Sequence, residues 1–225
     1  MIREFKVKWT SRDKIAAIGK RFLQQYHPTY SVPIPIESIV ESSLGMDIIP
    51  VPNLKQSSKE AGLDIDAFIS SDLRSITVDQ FILEQRENRY RFTLAHEVAH
   101  MLLHGHIYKQ YKFATLEDWV STMIAIQSTP QQQKTREWAE WQADELAGFI
   151  LVPRGILIDE FERERNETFQ RYSEDHPQYA VYADQVDYLD FIDNVAIRSL
   201  AQQFVVSDMT MRIRLENDDL VTRKR

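Results

Sequence analysis

The sequence predicts an α+β fold, mainly helical, with a small β-sheet and a C-terminal helical segment of helix-turn-helix-like pattern. Three observations carry this expectation. Apolar residues recur at spacings of three and four through most of the chain, which is the helical period. Three short runs rich in β-branched and aromatic residues precede the longest apolar helical stretch. Glycine occurs only 6 times in 225 residues, against roughly 16 at a usual share of about 7%, so glycine-rich turns and phosphate loops are scarce.

Taken in order, Thr10 or Ser11 can cap a first helix carrying Ile15, Ile18, Phe22 and Tyr26, and Pro28 marks its end. Pro35 suits the first turn of a short helix with Ile36, Ile39 and Val40, and Gly45 fits just past it. Met46 to Val51 reads as a strand. Phe68 to Ser70 and Ser75 to Val78 read as two more, joined by a polar turn at Ser71 to Arg74. The next helix is expected from about Arg89 to His104, with Gly105 placed to end it. Thr115 opens a short helix in which Asp118 completes a capping-box pattern. The polar stretch STPQQQKT, residues 128–135, reads as a mobile surface loop. A strong helix follows from about Thr135 to Val152, stopped by Pro153, and the remainder reads as helical without internal repeats. Residues 1–158 are expected to form one domain that includes the N-terminal helix, and residues 159–225 a helical segment packed on it.

Composition narrows the function. A chain of 225 residues, 43% of them hydrophobic, buries roughly 70% of its unfolded surface and needs no cross-links to hold a core. The absence of cysteine excludes thiol nucleophiles, iron–sulfur clusters and cysteine-ligated zinc, and makes a cytoplasmic location the default. No signal-peptide pattern opens the sequence, and no apolar run is long enough to span a membrane. With 27 Lys and Arg against 34 Asp and Glu the net charge is −7, which disfavours direct nucleic-acid binding.

The chemistry is concentrated at residues 96–100, HEVAH, inside the apolar run FTLAHEVAHMLL. Four residues make about one helical turn, so His96 and His100 share a face at a spacing that can close on one ion. Glu97 falls beside them, where its carboxylate can take a proton from water during attack on a carbonyl. The composition would produce an HExxH by chance about once in a hundred such sequences. The plain alternative, two core histidines on a buried helix, is costly, because three polar groups would be buried in an apolar segment without a partner.

A catalytic zinc takes three protein ligands and keeps one position open. His104 is another turn along, about 6 Å further by helical rise. His106 occupies the third-histidine position of the metzincin pattern HExxHxxGxxH, but Leu103 stands where that pattern turns the chain with glycine. The better candidate is Glu140, in EWAEWQADELAGFILVP, with Asp144 one turn later able to hold the second N–H of a ligand histidine. Glu137 lies on the same stripe and is its rival, and Gly148 would let another helix approach closely.

RFTLAHEVAHMLLH, EWQADELAGFILVP and LAQQFVVSDMTMRIRL together resemble the ImmA/IrrE family of zinc metallo-endopeptidases. The resemblance covers roughly Pro33 to Leu215 and implies a zincin-like fold. It implies zinc held by His96, His100 and Glu140, with Glu97 as the catalytic glutamate. The stretch between the two blocks is longer than the family's usual one, and FILVP replaces a leucine- and methionine-rich ending. The substrate it implies is a helix-turn-helix transcriptional repressor.

Between Asp159 and Asp193, 11 acidic residues face only Arg163, Arg165 and Arg171, a surface suited to a basic protein partner. In the terminal segment Ser207 is placed to cap a second helix, and Val205 stands in the turn where glycine is absent. Its low basicity favours a packing role. The function expected is therefore zinc-dependent cleavage of a regulatory protein. The alternatives are a non-hydrolytic peptidase-like binding module and a DNA-binding regulator, and the intact HEVAH argues for the enzyme.

Overall fold

Helix α1 (Arg12–Tyr26) opens the first of two compact units in the chain. The structure is a computed structural model and describes residues 6–111, 113, 115–126, 129–175 and 186–222. One unit comprises Met1–Thr29 and Pro35–Ile150, the other Tyr30–Ile34 and Leu151–Arg225. The fold is α+β, with a three-stranded sheet confined to the first unit.

In α1 the apolar spacing buries Ile15, Phe22 and Leu23 together with Gly19, and the amide of His27 closes the last turn on the Leu23 carbonyl. The helix lies against α7 (Pro130–Leu151), where Arg12 Nε donates to Glu145 Oε2 at 2.9 Å. Gly19 is what permits this approach. A Cβ there would sit 3.2 Å from Phe149 Cβ and 3.3 Å from Leu146 Cδ1, already tight for one methyl group. Gly19→Val should therefore overpack the interface by about 1–3 kcal/mol. Thermal denaturation followed by circular dichroism should show a midpoint lowered by roughly 2–4 °C per kcal/mol.

The short helix α2 (Ile36–Ser38) widens into a π-helical turn, Ile39–Ser43, which Gly45 ends in the left-handed region at φ 65°. Strands β1 (Asp47–Val51), β2 (Ala67–Ile69) and β3 (Ser75–Asp79) form a sheet in the order β1-β3-β2. The β1–β3 pair is parallel, with Asp47 opposite Ser75, and β2–β3 is antiparallel, with Phe68 opposite Thr77. All three strands match their expected positions to within a residue. Helix α3 (Leu54–Glu60) was not legible in the sequence, because it buries only Leu54 and Ser58 and shows no apolar stripe. Asp79 caps α4 (Gln80–Gln85) by accepting from the Ile82 amide at 3.2 Å.

Helix α5 (Glu87–Tyr108) runs one turn beyond the expected end at His104. Gly105 does not stop it. The glycine lies inside the helix, where a Cβ would come within 2.8 Å of Leu73 Cδ1, and the extra turn buries Ile107 and Tyr108. Helix α6 (Leu116–Ile126) begins as expected, Thr115 Oγ1 accepting from the Asp118 amide at 3.2 Å. Of the stretch at 128–135, Ser128 lies outside the described residues, and the part from Pro130 is not a loop but the opening turns of α7. Pro130 takes the first helical position, where its missing N–H costs nothing, and Thr129 Oγ1 accepts from the Gln132 amide at 3.3 Å. Its polarity follows from exposure of Gln131, Gln133 and Lys134.

The second unit holds α8 (Arg154–Asp175), α9 (Val186–Phe204) and α10 (Asp208–Asn217). Leu157, Phe161, Ile192, Leu200, Phe204 and Met211 form its core. Arg165 Nε donates to Asp193 Oδ1 at 2.7 Å, tying α8 to α9. Val205 makes the turn before α10 at φ 51°, a left-handed conformation that is strained for a β-branched residue. Ser207 caps α10 by accepting from the Thr210 amide at 3.0 Å. The arginines of this segment face internal partners: Arg198 faces Asp208, Arg212 faces Asn194, and Arg214 is buried against Asp218.

Candidate metal centre

Two helices of the first unit build the centre. Along α5, Leu94, Ala95, Val98 and Ala99 are fully buried and fix the helix's rotation, which turns His96 and His100 to one side, one turn apart. Along α7, buried Ala139, Ala143, Leu146 and Ala147 do the same for Glu140. His96 Nε2 lies 2.9 Å from His100 Nε2 and 3.2 Å from Glu140 Oε2, and His100 Nε2 lies 3.5 Å from that oxygen. Ligands on one tetrahedral zinc, at about 2.0–2.2 Å from it, lie roughly 3.3 Å from one another. The donor set, two imidazoles and a carboxylate, therefore fits the ion in both chemistry and spacing. Among the described residues this is the group of metal-capable side chains that converges. Glu137 and His106 are exposed and do not join it. Of the residues the sequence offers for stabilising an oxyanion, His104, His176, Tyr179 and Tyr182, the last three lie outside the described residues.

Each of the three has a second partner on its far side. His96 Nδ1–H donates to Asp144 Oδ1 at 2.8 Å, the contact expected from the Glu140/Asp144 spacing. Glu140 Oε1 faces Arg136 Nε at 3.4 Å, and the Arg136 guanidinium is held over the Trp119 ring of α6. His100 Nδ1 lies 3.0 Å from His104 Nδ1 and 3.1 Å from the Tyr108 hydroxyl. Arg136 and Tyr108 were missed in the sequence. Arg136 was detectable as a cation one turn before Glu140; Tyr108 was hidden by the misplaced helix end.

Glu97 is only 6% exposed and opens into the same cleft, whose volume is about 300 Å³. Burial pushes its carboxyl above the ordinary glutamate value, against the pull of His100, His96 and the Ile69 amide that donates to it. Burial disfavours charge on His96 too, but the hydrogen bonds to Asp144 and Glu140 outweigh it and hold that pKa well above the usual value. The Glu140 carboxyl resists burial in the same way, and the two imidazoles hold it well below the carboxylate range. His104 is pushed down to about 3, first by burial and then by His100, so it is neutral near pH 7.

The opposite wall of the cleft is the edge of the sheet. Among the described residues strand β2 pairs with β3 alone, and Asp66 O and Ser70 N face β3. By the antiparallel alternation the main-chain groups of Ala67 and Ile69 face away from it. Asp66, Ala67, Phe68 and Ile69 line the cleft with His96 and Glu97, so this edge lies beside the site. No helix among the described residues is long and apolar enough to cross a membrane.

Residues 81–216 match the peptidase family described as the IrrE N-terminal-like domain. No match was found among curated proteins. Among solved structures the chain is similar to a Mycobacterium tuberculosis transcriptional regulator, at 16% identity and a TM-score of 0.46. That similarity covers 95% of this chain and 48% of the other, so the chain spans about half that protein's length.

Proposed function

Because the chain belongs to the peptidase family of the IrrE N-terminal-like domain, we propose that it is a zinc-dependent endopeptidase, with His96, His100 and Glu140 as ligands and Glu97 as general base. The observation that carries this is the convergence of three donor atoms in one cleft with the buried Glu97 carboxyl beside them. Zinc held there would supply Lewis acidity for the carbonyl under attack and for the attacking water. Glu97 takes the proton of the attacking water on a carboxylate oxygen and delivers it to the departing amide nitrogen. Asp144 holds the His96 Nδ1–H, leaving Nε2 for the ion, and Arg136 braces Oε1 of Glu140, leaving Oε2 for it.

The substrate proposed is a protein, entering as an extended segment along β2 and pairing with its outward main chain. A helix-turn-helix repressor is the favoured class. It is what the ImmA/IrrE resemblance implies, and its basic surface would complement the acidic helices α8 and α9. Such a substrate would place the activity in the cytoplasm. Purified protein should hold about one zinc per chain, and co-expression with candidate repressors should give cleavage that a chelator abolishes. Protein that takes up no divalent ion in any condition would sink the reading.

A further inference from the structure

A line of contacts runs from His100 away from the cleft, through groups to which no role has been assigned. His100 Nδ1 meets His104 Nδ1 at 3.0 Å, His104 Nε2 meets Gln142 Oε1 at 3.4 Å, and Gln142 Nε2 donates to the Lys8 carbonyl at 3.1 Å. His100, His104 and Gln142 are all buried, at 3%, 1% and 1% exposure, so water does not compete for these contacts.

The last link gives the line a direction. A backbone carbonyl only accepts, so Gln142 must turn its amide nitrogen to Lys8 and its oxygen to His104. That oxygen also only accepts, so the proton of neutral His104 sits on Nε2, and its Nδ1 presents a lone pair to His100. His100 must then carry its own proton on Nδ1, which leaves Nε2 as a lone pair facing His96 and Glu140. We propose that His104 is a positioning residue: it accepts from His100 and locks that histidine in the tautomer and ring orientation that bind the ion, with Gln142 and the Lys8 carbonyl setting its polarity. This deepens the proposed zinc centre and rests on it. It also gives a use to the histidine one turn past HEVAH, whose position on α5 keeps it off the ion. The Tyr108 hydroxyl, 3.1 Å from the same His100 nitrogen, is the competing acceptor.

The experiment measures zinc affinity of the full chain by competition with a chelator, for the unaltered protein and the variants His104→Leu, His104→Asn, Gln142→Leu and Tyr108→Phe. Loss of an outer-shell partner typically costs about 10- to 100-fold in affinity, and His104→Leu should fall in that range. His104→Asn, whose side-chain oxygen can stand where Nδ1 stood, should recover most of it. Gln142→Leu should lose less than His104→Leu, because His104 remains but is free to turn. A histidine ¹⁵N spectrum of the zinc-loaded unaltered protein should show His104 protonated on Nε2 alone, a reading that needs no variant to fold. His104 protonated on Nδ1, undiminished affinity in a folded His104→Leu protein, or a loss confined to Tyr108→Phe would each overturn the proposal. An unaltered protein that binds no zinc would instead remove the metal centre itself, and the two failures are thus distinguishable.

Discussion

Glu97→Gln should abolish repressor cleavage while leaving zinc content and fold unchanged. The replacement keeps the size and polarity of a side chain that is almost fully buried, and its amide oxygen can still accept from the Ile69 amide. What it removes is a carboxylate that can accept a proton from water and give it up again. General-base catalysis of this kind contributes about 10² to 10⁴ in rate, so cleavage should fall by that factor. Cleavage on a gel, run beside zinc analysis of both proteins, reads the two quantities separately. Equal cleavage would remove Glu97 from the mechanism. No cleavage by the unaltered protein, under any metal or partner condition, would favour a peptidase-like binding module.

Glu140→Ala should strip the metal. Among the described residues, Glu140 offers the carboxylate oxygen that meets both imidazole nitrogens, at 3.2 and 3.5 Å. Its loss should therefore exceed the about 10- to 100-fold typical of an outer-shell partner. A second readout is thermal. Zinc at about 100 times its dissociation constant stabilises the folded chain by about 2.7 kcal/mol, and that increment should vanish in the variant. His106→Ala is the control, since His106 is exposed and should retain both metal and the thermal shift. The opposite pattern, with zinc kept by Glu140→Ala and lost by His106→Ala, would restore the metzincin-like ligand set.

The core of the centre was legible because helical spacing translates directly into side-chain direction. One turn separates His96 from His100 and Glu140 from Asp144, and two such pairs facing one another suffice for three donors and an outer partner. What escaped was set by contacts far apart in sequence. Gly105 could have been a helix stop or a point of close packing, and the side chain it packs against, Leu73, lies in a turn some thirty residues earlier. That misreading hid Tyr108. Residues 128–135 show a related ambiguity. Polar composition suits a loop and an exposed helix face equally, although the Thr129–Pro130 pair at its start is a helix-opening signal. The line from His104 through Gln142 to Lys8 could not be read at all, since its final acceptor is a backbone carbonyl that carries no sequence signature.

The shortness of β2 limits how much of a partner this cleft can spell out. The strand has three residues, and of the outward groups at Ala67 and Ile69 one, the Ile69 amide, is already engaged by Glu97. A chain pairing there as proposed would meet the Ala67 amide and carbonyl and the Ile69 carbonyl, a vocabulary of three main-chain words. So short a phrase recurs throughout any proteome. Discrimination must then come from the partner as a shaped object, through surfaces away from the bond. Short peptides copied from a cleavage site should accordingly be far poorer substrates than the intact partner, even at equal concentration.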